Sequence, residues 1–299
     1  MISGSFKDVI QHFLANPDLI VFFLFFVGAT IGLWVYPGKQ VWLGFFILIL
    51  IFGLIQGKIT IVGFSCIALF GMIVYGYYHW LKRPTYRLIG GILLFIISIG
   101  FYAHQIYGFE NPILIPAVKL SADSFIYRSF LNFDKTLAGL CFMGLGLHLA
   151  RSSKDWRNAF FASIIPTFLT GALLASFALS FHYVSWDPKL PGITAIWMIS
   201  NFLFVAVAEE ALFRGFLQTE LQKIIGGKAA KFWGLLIASL LFGLLHYKGG
   251  FFYITFATIA GLGYGSVYII TNRIEAAIIT HFLVNALHFF LFSYPALAR

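Results

Sequence analysis

The chain has 299 residues, of which 60% are hydrophobic and only 10% are charged, with a formal net charge of +9. An ordinary soluble domain carries about 25% charged residues. The composition therefore excludes a soluble globular domain and a disordered chain, and two cysteines are too few for a disulfide-stapled secreted module. The basic residues lie mainly in short loops between apolar stretches, which indicates topology determinants and lipid head-group contacts, not nucleic-acid binding.

Ten apolar stretches are candidates to cross a bilayer, for which a helix needs about 20 residues. In chain order they are Leu19 to Val35, Val41 to Ile55, Ile59 to Tyr78, Leu88 to Ala103, Leu137 to Leu149, Ala159 to Phe181, Ile193 to Gln218, Phe232 to His246, Tyr253 to Ile270 and Ala276 to Phe292. Several stretches are shorter than a full membrane span. The number of helices would change by one or two if neighbouring stretches merge into one helix or if a stretch re-enters the membrane without crossing it. The sequence predicts an all-α, polytopic transmembrane bundle of about 8–10 helices.

The loops of such a bundle differ in their content of lysine and arginine. If all ten helices are real, the loops after the odd-numbered ones carry most of these residues, and the positive-inside rule places those loops in the cytoplasm. The connection from Gln105 to Lys135 is polar enough to lie outside the hydrocarbon, and the sequence assigns it no role. We expect the chain to have two parts. Residues 1–192 form N-terminal helices of unassigned role, and residues 193–299 form a helical core that carries the catalytic residues.

Polar residues inside the apolar helices are the best guide to function, because an ionisable side chain is costly to bury in lipid. They form three clusters in the last third of the chain. The clusters are Glu209, Glu210 and Arg214; Phe242 and His246; and His281 and Asn285.

Helical spacing predicts different roles within these clusters. Glu210 and Arg214 are four residues apart, so they share a face and can neutralise each other. Glu209 is rotated by about 100° and is expected to remain an unpaired carboxylate, available as a general base or acid. His281 and Asn285 are also four residues apart, and we expect both to donate hydrogen bonds into one cavity, as an oxyanion hole requires.

The three motifs Glu-Glu-x-x-x-Arg, Phe-x-x-x-His and His-x-x-x-Asn, in this order on apolar helices, resemble the CPBP (Abi) family. That family includes the type II CAAX prenyl endopeptidase and bacterial bacteriocin-processing and immunity proteins. The resemblance covers roughly Ile193 to Phe292. It implies an intramembrane, glutamate-dependent endopeptidase that acts on a membrane-associated or lipidated protein or peptide.

The resemblance also implies a role for each motif residue. Glu209 and His246 would activate the attacking water, and His281 and Asn285 would stabilise the tetrahedral oxyanion. Glu210 and Arg214 would hold the first motif in shape. The residues expected to support the site are Glu210, Arg214 and Phe242.

Other interpretations remain open on the sequence alone. No cofactor is favoured, but Glu209, His246 and His281 could supply three zinc ligands with an open fourth position, although the chain lacks the His-Glu-x-x-His signature. A proton-coupled transporter also uses buried Glu and His, and an immunity or binding protein could keep the fold without catalysis. The expected partners are membrane lipids and a peptide or protein substrate, in a bacterial inner membrane or, for a eukaryotic source, the endoplasmic reticulum.

Overall fold

The computed structural model describes residues 6–35 and 40–298. Within these ranges it has eleven helices and one β-hairpin, and 74% of the chain is helical, which confirms the all-α class. The helices are α1 (Phe6–Ala15), α2 (Pro17–Val35), α3 (Gln40–Ile55), α4 (Ile61–His79), α5 (Pro84–Tyr102), α6 (Phe133–Leu145), α7 (Ser153–Ser180), α8 (Thr194–Ile225), α9 (Ala230–Leu244), α10 (Gly250–Thr271) and α11 (Ile274–Leu291). The antiparallel strands are β1 (Ile113–Val118) and β2 (Tyr127–Phe130).

Each of the ten predicted stretches coincides with one of the helices α2 to α11. Among the described residues, seven helices are long and apolar enough to cross a membrane, and α3 and α9 are shorter apolar helices. The chain is therefore an integral, multi-pass membrane protein. Helix α1 and the hairpin were not predicted, and α8 continues seven residues beyond the predicted end at Gln218.

Local sequence signals explain several helix ends. Pro84 begins α5, where its fixed φ suits the first helical position. Ser152 and Asp155 form a capping box at the start of α7. Gly226, with a positive φ of 61°, ends α8 because glycine adopts this conformation without steric cost.

The loops at the hairpin end of the bundle are joined to one another, and we call this end the hairpin face. Isolated β-bridges connect loop residues from distant parts of the chain, namely Ile59 with Phe109, Ser124 with Leu297, and Trp186 with Phe292. The opposite end holds the loops after α4, α6, α8 and α10, which are among the loops that the sequence predicts to be basic, and we call it the basic face. This arrangement fits helices that alternate in direction along the chain.

The centre of the bundle is formed by α6, α8 and α11. In the most apolar 18-residue stretch of each helix, 72% of the residues of α8 and 61% of those of α11 are buried, against 17–39% for the other five long apolar helices, which face outward. Helix α6 has only 13 residues, about 20 Å, and most of it is buried between its neighbours. The largest buried cluster extends from Val9 to Phe289, so residues of both predicted parts share one core.

Candidate active site

The first motif lies in a part of α8 with irregular helical geometry. The α-helical turn Val207–Glu210 is flanked by two π-helical segments, Asn201–Ala206 and Ala211–Gln218. Such π segments occur frequently at functional sites. The sequence pattern alone predicts an ordinary α-helix here, because π turns have no apolar period of their own to detect.

Glu210 joins two other predicted site residues in the buried centre. Its Oε1 atom accepts a hydrogen bond from Arg214 Nη1 at 3.1 Å, which confirms the predicted pair, and lies 2.7 Å from His281 Nδ1. A carboxylate only accepts hydrogen bonds, so Nδ1 of His281 carries the hydrogen. The Nε2 atom of His281 then faces Glu209, at 3.8 Å from its Oε2 atom. Glu210 therefore orients His281 as well as pairing with Arg214, and the sequence did not predict this second contact.

Phe242 packs against three of the polar side chains. Its ring lies 4.7 Å below the guanidinium carbon of Arg214, 4.8 Å from the His246 ring and 6.0 Å from the His281 ring. The His281 ring also stacks on Tyr264, at 4.4 Å between ring centroids. These aromatic contacts fix the planes of the charged and imidazole groups and exclude lipid from them.

Glu209 is paired, contrary to the prediction that it remains unpaired. Its Oε1 atom accepts a hydrogen bond of 2.5 Å from Lys135 Nζ, in the first turn of α6. The prediction was wrong because helical spacing considers only partners on the same helix, whereas Lys135 is 74 positions away. The one sequence signal was a lysine at the junction of the polar connection and the fifth apolar stretch.

His246 and Asn285 lie beside this centre. His246 Nδ1 donates to the carbonyl oxygen of Phe242 at 2.8 Å, so in the neutral ring Nε2 is left as an acceptor. The ring packs on Phe242, which also contacts Arg214 and His281. Asn285 donates to the side chain of Asn201 at 3.2 Å, so α11 presents both Asn285 and His281 to α8.

The three side chains that the sequence offers as alternative zinc ligands do not form a metal-binding geometry. Among residues 6–35 and 40–298, no group of three or more His, Cys, Asp and Glu side chains is placed to hold a metal ion. In addition, the Glu209 carboxylate already binds the Lys135 ammonium. The arrangement of these side chains does not fit a zinc ion, and we derive no step through one.

The comparisons with known proteins bear on this part of the chain. Residues 191–287 match the family model of the type II CAAX prenyl endopeptidase Rce1-like proteins. This segment is similar to the Rce1-like family. The match covers roughly a third of the chain, includes all three motifs, and agrees with the resemblance found in the sequence. Comparison with curated proteins and with solved structures gave no match.

The Rce1-like match bears on the function of the chain. The family consists of peptidases, so the match supports a membrane protease of the CAAX type in general, and a protease family implies a peptide or protein substrate. Helices α1 to α7 lie outside the matched segment. Lys135 nevertheless comes from α6, so the centre combines residues from inside and outside the Rce1-like segment.

Proposed function

We propose that the chain hydrolyses a peptide bond of a membrane-associated or lipidated protein or peptide, by attack of water and without a covalent intermediate. The observation that carries the proposal is the position of His281, with one ring nitrogen on Glu210 at 2.7 Å and the other facing Glu209 at 3.8 Å. This arrangement places a potential hydrogen-bond donor beside a potential general base. A hydrolytic site needs that combination next to the scissile carbonyl.

Each step of the reaction has a residue to perform it. Nε2 of His246 and the carboxylate of Glu209 accept hydrogen bonds from the water, and Glu209 takes its proton as the water oxygen attacks the carbonyl carbon. Asn285 donates from its amide to the oxyanion, and His281 donates from Nε2 when that nitrogen also carries a hydrogen. The proton taken from water passes to the leaving nitrogen as the C–N bond breaks, which yields a carboxylate and an amine.

A small cavity offers a route for water to this centre. It has a volume of about 40 Å³, enough for water molecules, and it is lined by β2, by the start of α6 and by the first turns of α8. Lys135 and Asn201 are among its lining residues, and they contact Glu209 and Asn285 respectively. The water therefore would enter from the hairpin face.

The test is cleavage of lipidated and unlipidated fluorogenic peptides by the detergent-purified protein in water enriched in ¹⁸O. The wild type is expected to cleave and to place ¹⁸O in the new carboxyl group, and E209Q to lose cleavage by at least about 100-fold, as expected for a missing general base. The matched control is E110Q, which alters an exposed glutamate paired with Lys58 and should leave cleavage unchanged. Full cleavage by folded E209Q would refute the proposal.

We further propose a bacterial inner membrane as the location, since a chain with many apolar helices is typical of proteins of that membrane. Immunodetection of the protein in separated inner and outer membrane fractions of the source cell tests this. Recovery in an intracellular membrane of a eukaryotic cell would overturn it.

A further inference from the structure

The strongest observation beyond the three motifs is the pairing of Lys135 with Glu209. The two oxygens of the carboxylate have different neighbours, since Oε1 is 2.5 Å from Lys135 Nζ and Oε2 faces His281 Nε2 at 3.8 Å. Both members of the ion pair are largely withdrawn from solvent, with side-chain exposures of 14% for Lys135 and 9% for Glu209. An ion pair in such surroundings is little screened and fixes geometry strongly.

We propose that Lys135 is a positioning residue for Glu209, so that the catalytic unit extends beyond the Rce1-like segment into α6. This inference rests on the proposed role of Glu209 as the base. The ammonium holds Oε1 and keeps the carboxylate charged, and Oε2 is left to accept the proton of the attacking water. The role resembles that of the outer residues that orient ligands and bases in many enzymes.

A network of polar residues fixes Lys135 at the start of α6. Asp134 accepts a hydrogen bond from the Lys135 backbone N–H at 2.8 Å through its Oδ1 atom. The Asp134 carboxylate is held in turn by His104, at 2.9 Å, and by Asn111, at 3.1 Å. His104 and Asn111 belong to the long connection between α5 and α6. The connection to which the sequence assigned no role thus supports the position of Lys135.

The contact between α6 and α8 fixes the other end of the ion pair. A Cβ atom on Gly139 would lie 2.7 Å from the Cα atom of Ala208, so this glycine allows α6 to approach the residue directly before Glu209. The hydroxyl of Tyr102 donates to the Ala208 carbonyl oxygen at 2.5 Å, and its ring lies 5.8 Å from Lys135 Nζ. The helix that carries the lysine and the helix that carries the base are thereby held at a fixed separation.

The experiment compares kcat and KM of K135M with those of the wild type, on the peptide that the wild type cleaves. Loss of an outer positioning residue is expected to lower kcat by about 10–100-fold, with KM within about twofold of wild type, because Lys135 holds the base and not the peptide. K135M/E209Q should cleave no more slowly than E209Q, since the lysine acts through the glutamate. The matched control K58M breaks the Lys58–Glu110 pair on the same face and should keep the wild-type kcat.

A second variant covers the case in which K135M does not fold. K135C, in a background with Cys66 and Cys141 replaced by alanine, is alkylated with bromoethylamine, which restores a lysine-like ammonium in the same folded sample. The expected result is low kcat before alkylation and recovery after it.

The outcomes separate this inference from the proposed function. A kcat of folded K135M equal to or above that of the wild type overturns the positioning role, as does a change confined to KM or a failure of alkylation to rescue K135C. If E209Q keeps full cleavage, the proposed function is refuted, and the inference about Lys135, which rests on it, is refuted as well. If E209Q is inactive while K135M keeps its kcat, only the inference about Lys135 fails.

Discussion

Replacement of Arg214 by methionine should destabilise the protein strongly, because it leaves a buried carboxylate without its cation. Arg214 is fully buried and donates to Glu210 at 3.1 Å and to the Gly261 carbonyl oxygen at 2.9 Å. Among the described residues, Oε2 of Glu210 has no hydrogen-bond partner, so in R214M the carboxylate would keep only His281. Removal of one partner from a buried ion pair costs about 3–5 kcal/mol.

The measurement is the free energy of unfolding in mixed micelles, from titration with a denaturing detergent. The control is R273M, which breaks the ion pair of Arg273 with Asp155, whose side chains are 38% and 24% exposed. Exposed pairs contribute little, so R273M should unfold close to the wild-type midpoint. The double variant E210Q/R214M should recover part of the loss, since no lone charge remains. A loss in R214M no larger than in R273M would refute the reasoning that Glu210 depends on Arg214.

Three further predictions concern packing, topology and metal dependence. G139A should cost about 1–3 kcal/mol, because its methyl group would collide with the α8 backbone, whereas G44A in α3 meets no atom within 4 Å and should be neutral or slightly stabilising by the same titration. In intact cells, a cysteine introduced at Asp123 on the hairpin face should react with an impermeant maleimide. A cysteine at Lys228 on the basic face should react only after the membrane is permeabilised, and the reverse pattern would show that the topology is the opposite of the predicted one. Peptide cleavage should continue in the presence of chelators, because the Glu209 carboxylate that zinc would need already binds Lys135. Loss of cleavage in chelator, with recovery when zinc is added, would contradict this prediction.

The sequence was sufficient to predict most of the helices. Apolar stretches of bilayer length are a strong signal, and proline, glycine and charged clusters separate them. The hairpin was missed because β1 and β2 are short, with 6 and 4 residues, and lie in a connection without regular alternation. Helix α1 was missed because its 10 residues are fewer than a membrane span needs.

The contacts within the site could be predicted only where both side chains lie on the same helix. The pair Glu210–Arg214 follows from spacing, since residues four apart share a face. The contact of His281 with Glu210 joins residues 71 positions apart, and no local pattern encodes which helices of a bundle are neighbours. The same limit explains the missed Lys135, and the catalytic roles of the motif residues stay predictions until they are tested.

The charged groups at the centre come from both predicted parts of the chain. Glu210 has Arg214 as its cation within the Rce1-like segment, but Glu209 takes its cation from Lys135 of α6. A buried charge without a partner is too costly to maintain inside a bilayer. The segment 191–287 by itself would therefore leave the carboxylate proposed as the base without the ammonium that it binds. Helices before residue 191 thus supply part of the electrostatics of the site, and we expect the division at residue 192 to separate sequence segments, not independently stable domains.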